Sequence, residues 1–259
     1  IRLSLVGSEM CIRDRISLTL KPTLADDRPA SGVARAPLVT LLIAAFASTL
    51  SMLHTGFVFG VDNNIFHLPI IGGLYDEPQF RDDAFIQSLR HFASGVWLLL
   101  AGTGKQVGDV KLLFLGLTWL SRLLSFIGFL CCASLVGIDS RRDKIVFVLL
   151  ICAMAFLEGG SYAGQGGLFV HYFTHSELAN GTILLAIYFA AKGRFAEAIA
   201  LLGVTFFINA FMAVWLVVLI GCVAAHLITR NEISLRTICT QSLIGLVPCV
   251  PLALSLIHI

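Results

Sequence analysis

The sequence predicts an all-α polytopic membrane protein. Hydrophobic residues make up 57% of the chain and charged residues only 13%, whereas soluble domains carry about 25% charged residues. The mean hydropathy is +0.89, and several apolar runs approach the length that crosses about 30 Å of hydrocarbon as a helix. We expect about six to seven transmembrane or re-entrant helices, with an interfacial helix in a long first outer loop. The net charge of +2 is too small to suggest a nucleic-acid partner.

The two ends of the chain differ from the rest. Codons can be chosen for "MCIRDR" (residues 10–15) whose reverse complement encodes "LSLIHI" (residues 254–259). Both runs resemble the transposase mosaic end used in sequencing libraries, and "LVGSE" before the first run fits a common adapter arm. We therefore interpret residues 1–15 and 254–259 as adapter-derived. Residues 16–36 are then a cytoplasmic N-terminal segment, and residues 37–253 a transmembrane domain truncated at both ends.

Six apolar runs supply the expected helices. The run from Phe195 to Thr229 is about 35 residues and would reach about 52 Å as one straight helix, so we expect a break near Asn209 and Ala210. Two shorter helices would then form a hairpin or re-entrant pair inside the membrane, which is tolerated where protein or a water-filled cavity covers the broken backbone. The six runs are Pro37–Phe59, Leu112–Val136, Ile145–Leu157, Leu178–Ala191, Phe195–Thr229 and Ile238–Ala253.

The distribution of basic residues predicts the orientation. Lys and Arg collect in short cytoplasmic loops, and every short basic cluster falls on one side when the N-terminal segment is inside and the long run is broken. We therefore expect an integral protein of the bacterial inner membrane with a cytoplasmic N-terminus. The residues on that side are Lys21, Arg28, Arg35, Arg141, Arg142, Lys144, Lys192, Arg194, Arg230 and Arg236.

The outer loop of residues 60–111 is too long to be a mere connector. Its stretch "DDAFIQSLRHFASGVWLLLAG" has apolar residues near helical spacing, which predicts an interfacial helix that leads into a short apolar stretch. The loop is also the acidic centre of the chain, and its carboxylates could serve only to keep it solvated. They belong to Asp62, Asp76, Glu77, Asp82, Asp83 and Asp109.

Asp62 differs from the other carboxylates because it lies two to three residues beyond the first apolar run and precedes Asn63, Asn64 and His67. A carboxylate at the membrane surface has an apolar wall beside it, which lowers the dielectric and raises a carboxylate pKa toward the range of a general base. Such a base could deprotonate an acceptor hydroxyl while a lipid-held phosphate leaves. Alternatively, Asp62 and the two amides only cap the turn after the helix.

A second outer segment, "LEGGSYAGQGGLFVHYFTHSELANG", is rich in glycine and contains His171, His175 and Glu177. The two histidines are four residues apart, so on a helix they would share a face. A divalent metal is one interpretation of this spacing, and polar helix ends that face lipid headgroups are the other. Glu177 could also act as an acidic residue in the first turn of the next helix.

Arg122 lies in the middle of the second apolar run. A charged side chain there is costly in lipid and should face the bundle interior or a cavity. It could balance a buried carboxylate or hold an anionic phosphate; a snorkelling or internally paired arginine is the alternative. Asn209 at the expected break could satisfy the backbone groups that the break frees.

The order of these features resembles the C-type (GT-C) superfamily of polytopic glycosyltransferases. The matching elements are the first run, "GVDNNIFHLP", "DDAFIQSLRHFASGVW" and the short runs "ELANGTILLAIYFAAKGRF" and "AIALLGVTFFINAFMAVWL". The resemblance implies sugar transfer at the outer face from a polyprenyl-phosphate donor, with Asp62 as the catalytic base. It also implies that Asp82 or Asp83 is a secondary contact to the acceptor or to a metal. The family's frequent Asp-Glu or Asp-x-Asp form is replaced here by Asp62-Asn63-Asn64.

Two other functions are compatible with the sequence. A transporter or flippase could use Arg122, Asn209 and the broken hairpin to line a pathway near the membrane midplane, and a multi-span protein without catalysis needs no site at all. For the enzyme, the candidate substrate-binding residues are Asn63, Asn64, His67, Asp82, Asp83, Arg122, His171 and His175.

Overall fold

The computed structural model describes residues 35–92, 94–106, 108–154 and 168–250. This part of the chain consists of helices and connecting turns, without a strand. The two ends assigned to adapter sequence and the glycines between residues 159 and 167 lie outside the described residues. The α-helices are α1 (Arg35–Thr55), α2 (Asn64–Gly72), α3 (Ala84–Ser88), α4 (Gly95–Leu100), α5 (Val110–Leu135), α6 (Arg141–Ala153), α7 (His175–Ala191), α8 (Phe195–Ile208), α9 (Ala210–Thr229) and α10 (Leu235–Leu246).

Three of the described helices are long and apolar enough to cross a membrane: Pro37–Thr55 in α1, Val110–Leu135 and Ala210–Thr229. They support the prediction of an all-α membrane protein. They are fewer than the six to seven expected helices because α6, α7, α8 and α10 have 13, 17, 14 and 12 residues. A straight crossing of the hydrocarbon takes about 20 residues.

Helix α5 forms the centre of the bundle, between α1 and α7. Its contact with α7 is close because each helix contributes a glycine to it. A Cβ atom added at Gly128 would lie 2.5 Å from Leu184, and one added at Gly181 would lie 2.6 Å from Leu124. Small residues at a helix crossing let two backbones approach closely, which is the common packing device between helices in membranes.

Asn209 divides the long apolar run, as expected. Its backbone is extended (φ −152°, ψ 102°), and its side-chain Oδ1 accepts a hydrogen bond from the backbone N–H of Met212 at 3.2 Å, which caps α9. Its Nδ2 donates to Ser176 Oγ at 2.9 Å, at the start of α7. The break therefore lies beside the loops at one end of the bundle, and the re-entrant or hairpin arrangement of α8 and α9 in the membrane stays a prediction.

The bundle has two chemically distinct ends. We call the end that carries residues 56–109 and 168–174 the loop end, and the end that carries the connections after α5, α7 and α9 the basic end. Seven of the described basic residues that predict the orientation lie at the basic end, in these connections or at the start of the helices that follow them. This agrees with the expected grouping on one side. They are Arg141, Arg142, Lys144, Lys192, Arg194, Arg230 and Arg236.

The interfacial helix expected in the long loop is not one continuous helix. The structure contains α3, a 3-10 turn over Leu89–His91, and α4 after an extended stretch. The chain is interrupted because Ser94 Oγ donates to the carbonyl of Ile208 at 2.6 Å, which pins the loop to the end of α8. Position 95 requires a glycine, because a Cβ atom there would lie 2.1 Å from the ring of Phe207.

Candidate functional site

Two polar segments of the loop end, residues 58–67 and 170–177, are joined by hydrogen bonds. The backbone N–H of Val58 donates to the carbonyl of His171 at 2.6 Å. The side chain of Asn64 is buried, and its Nδ2 donates to the carbonyl of Phe173 at 3.2 Å while its Oδ1 accepts from the N–H of Gly60. Asn64 is therefore a structural link between the two segments that sequence reasoning singled out separately.

Asp62 and His171 face each other at this junction. Asp62 Oδ2 lies 4.0 Å from His171 Nε2, and the two side chains are 61% and 44% exposed. Asp62 has a left-handed backbone (φ 47°), and its carbonyl accepts a hydrogen bond from the N–H of Ile65. A non-glycine residue in this region is uncommon and marks a position that its surroundings hold in place. The apolar enclosure expected around Asp62 is not formed, because the carboxylate projects from the surface.

His67 is buried in an aromatic cluster beneath this surface. Its ring stacks on Trp97, with centroids 3.8 Å apart and planes inclined by 17°. Trp97 Nε1 donates to His175 Nδ1 at 3.3 Å, so that nitrogen is unprotonated, because an indole N–H can only donate. Burial, and secondarily the nearby His175, lowers the pKa of His67 to about 3. Among the described residues no hydrogen-bond partner faces His67 Nδ1. His67 is consequently part of a packed core, and the half-buried His175 borders it.

Arg122 and Glu177 form an ion pair inside the bundle. Arg122 Nε donates to Glu177 Oε1 at 3.1 Å, and the side chains are 0% and 3% exposed. A second guanidinium nitrogen donates to the carbonyl of Val170 at 2.7 Å, and a third reaches Ser51 Oγ in α1 at 3.5 Å. The guanidinium also lies 5.1 Å from the ring centroid of Phe169. Arg122 thus connects α1, α5, α7 and the segment before α7, as an internally paired arginine would.

Glu177 is the residue that sequence reasoning missed as a partner. It lies in the first turn of α7, as predicted, and Thr174 caps that turn through the N–H of Glu177. Its carboxylate is directed to Arg122, and its Oε2 is buried without a hydrogen-bond partner among the described residues. The available signal was the combination of one arginine within an apolar run and one carboxylate at the start of another, because buried charges are normally paired.

The candidate residues still to be placed are Asn63, Asp82 and Asp83. Asp83 caps α3 by accepting a hydrogen bond from the N–H of Ile86, and Asp82 and Asn63 are exposed. His171 precedes α7, whereas His175 is its first residue. The shared helix face that the spacing of the two histidines predicted is therefore not formed. The part of the chain that the structure describes contains no group of three or more His, Cys, Asp or Glu residues arranged to hold a metal ion.

Comparison with protein-family models, with curated proteins and with solved structures finds no match to this chain. The proposed function therefore rests on the geometry of the loop end.

Proposed function

We propose that the chain is part of a membrane glycosyltransferase that transfers a sugar from a polyprenyl-phosphate donor. The reaction takes place at the loop end, which we assign to the outer face of the bacterial inner membrane, with the basic end and the N-terminus in the cytoplasm. The observation that supports this function is the exposed Asp62 carboxylate beside His171, on a junction that buried hydrogen bonds hold in place.

Asp62 is the catalytic base in this proposal. Its carboxylate takes the proton from an acceptor hydroxyl, and the resulting oxygen forms a bond to the anomeric carbon of the donor sugar. The bond from that carbon to the phosphate oxygen breaks, and its electron pair leaves with the polyprenyl phosphate. Asp62 then releases the proton to water, so the site returns to its starting state. General bases of this kind contribute about 10²–10⁴-fold to a rate.

His171 and Asn63 assist from the same surface. The His171 imidazole lies 4.0 Å from the Asp62 carboxylate and can donate a hydrogen bond to the leaving phosphate. Asn63 is exposed next to Asp62 and can bind sugar hydroxyls through its amide. Asn64 and the ring contact of His67 with His175 hold the two segments together. Arg122 anchors the second segment to α1 and α5.

A transfer assay in membranes tests the proposal. Membranes that contain the chain are incubated with short-chain polyprenyl phosphates carrying radiolabelled hexoses, and label in the acceptor fraction is measured. We expect transfer above membranes without the chain, and a loss of at least about 100-fold in Asp62→Asn, because the amide cannot take a proton. His171→Ala should lose about tenfold or less, because it removes only a neighbouring hydrogen-bond donor.

Asp139→Asn is the matched control, because Asp139 is an exposed carboxylate in the connection between α5 and α6, at the basic end. Its transfer rate should equal that of the wild-type chain. Absence of transfer by the wild-type chain overturns the proposed function, and a wild-type rate in Asp62→Asn removes Asp62 from the mechanism.

A further inference from the structure

A cleft of about 440 Å³ opens at the basic end, between α1, α5, α6 and α7. Its volume lies within the range of about 300–1,000 Å³ that is typical of small-molecule sites. The walls are formed by Leu41, Ile127 and Leu130, and polar groups of Ser134, Lys144 and Tyr188 also line it. The cleft is far from the Asp62 surface, because it lies at the opposite end of the same helices.

The lining changes from apolar to polar toward the helix ends. Ser134 is the residue before the last of α5, Lys144 is in the first turn of α6, and Tyr188 is in the last turn of α7. Ile127 and Leu130 lie one to two turns deeper along α5. A binding site with apolar walls inside the bundle and a polar opening at its end matches the two parts of a phospholipid.

The opening carries positive charge. Lys144 is half-buried in the lining, and Lys192 Nζ lies 5.9 Å from the ring centroid of Tyr188. No carboxylate belongs to the described lining, and the ion pairs of the described residues do not include Lys144. A lysine at the membrane surface attracts an anionic headgroup by about 1 kcal/mol, and basic clefts between helices on the cytoplasmic side favour anionic lipids.

We propose that this cleft binds an anionic phospholipid, with the headgroup phosphate at Lys144 and an acyl chain against Leu41, Ile127 and Leu130. Tyr188 supplies a hydroxyl donor to the phosphate oxygens, whereas the Ser134 hydroxyl donates to the carbonyl of Cys131 at 2.7 Å. The lipid fills the space between the ends of four helices, so it stabilises the folded bundle and does not enter the reaction at the loop end.

Titration of the purified chain in neutral detergent tests this site. Dioctanoyl phosphatidylglycerol, dioctanoyl phosphatidylcholine and inorganic phosphate are added separately, and the thermal unfolding midpoint is followed as a function of concentration. Phosphatidylglycerol should raise the midpoint in a saturable way, and the other two should not. An equal effect of phosphatidylcholine, or an effect of phosphate alone, overturns the assignment to an anionic lipid.

Variants at the opening separate charge from packing. Lys144→Gln should weaken the affinity for phosphatidylglycerol about fivefold, which corresponds to about 1 kcal/mol, and Lys144→Arg should retain it. Arg142→Gln is the matched control, since Arg142 is exposed in the same helical turn and does not line the cleft; its affinity should stay within twofold. Unchanged affinity in Lys144→Gln, or equal losses in both glutamine variants, contradicts the proposed site.

Discussion

Two pairs of an acidic and a basic residue, Arg122 with Glu177 and Asp62 with His171, differ in almost every physical property. Arg122 and Glu177 are buried, hydrogen-bonded at 3.1 Å and surrounded by three helices. Asp62 and His171 are exposed and 4.0 Å apart, beyond hydrogen-bond distance. The segment that precedes α7 connects both pairs, because Val170 accepts from Arg122 and the next residue is His171.

The difference indicates that one pair stabilises the fold and the other is available for chemistry. A buried pair is costly to break, because removal of one partner leaves an uncompensated charge in a medium of low dielectric. An exposed pair contributes about 0–1 kcal/mol to stability, so its side chains are free to serve in chemistry. We therefore expect stability to depend on Arg122 and Glu177, and sugar transfer to depend on Asp62.

Arg122→Met should give the largest loss of stability. It leaves the Glu177 carboxylate buried without its cation, and we expect the free energy of unfolding to fall by about 3–5 kcal/mol. Denaturant titration in detergent, followed by circular dichroism, measures this change. The double variant Arg122→Met/Glu177→Leu removes both charges and should recover at least half of the loss. Equal instability of the single and double variants would show that lost packing, and not the unpaired charge, causes the effect.

Gly181→Ala tests the helix contact that places the buried pair. The new Cβ would lie 2.6 Å from Leu124 Cβ and 2.8 Å from its backbone carbon, so α5 and α7 must separate. Overpacking of this kind costs about 1–3 kcal/mol, measured by the same titration. Gly221→Ala in α9 is the control, because a Cβ there meets nothing within 4 Å; its stability should be unchanged or slightly higher. Similar losses of unfolding free energy in both variants would contradict the close contact of α5 and α7 as the cause.

The pH dependence of stability should contain a contribution from His67, which lies in the outer loop. Its pKa is about 3 in the folded chain and 6.5 in the reference state, so below pH 6.5 the unfolded chain binds the proton more readily. The contribution is therefore complete above pH 6.5 and is lost as the pH falls toward 3. We expect a loss of about 1–2 kcal/mol at pH 5.

His67→Phe keeps an aromatic ring against Trp97 and removes the titrating group. Its unfolding free energy should fall less steeply than that of the wild-type chain between pH 6.5 and pH 5. Parallel curves for the two proteins would exclude burial of a neutral His67 as a source of acid sensitivity.

Asp62→Asn should have the smallest effect on stability, within about 0.5 kcal/mol, because the pair with His171 is exposed. Asparagine also tolerates the left-handed backbone of this position. Paired measurements of unfolding and of sugar transfer on one preparation test the prediction. A loss of stability comparable to that of Arg122→Met would contradict the expectation that only the buried pair stabilises the fold.

The sequence predicted the features that depend on composition and on short-range pattern. Apolar runs indicated α1, α5 and the helices on both sides of Asn209, because the length of such a run and its polar interruptions are local properties. Asp62 and the segment from His171 to Glu177 were recognised as the polar parts of the loop end, because polar residues contrast with an apolar background. The grouping of basic residues at one end was also predicted from the sequence, because it depends on their positions between the apolar runs.

Only the tertiary structure decided which polar residues meet. Arg122 and Glu177 are 55 positions apart, and Asn64 reaches Phe173 across 109 positions; no local pattern encodes such partners. The contact of Gly128 and Gly181 brings α5 and α7 together, and Ser94 pins the loop to Ile208, so the expected interfacial helix becomes short pieces. Burial, which separates the structural pair from the exposed one, results from the packing of all these elements together and therefore cannot be read from any one of them.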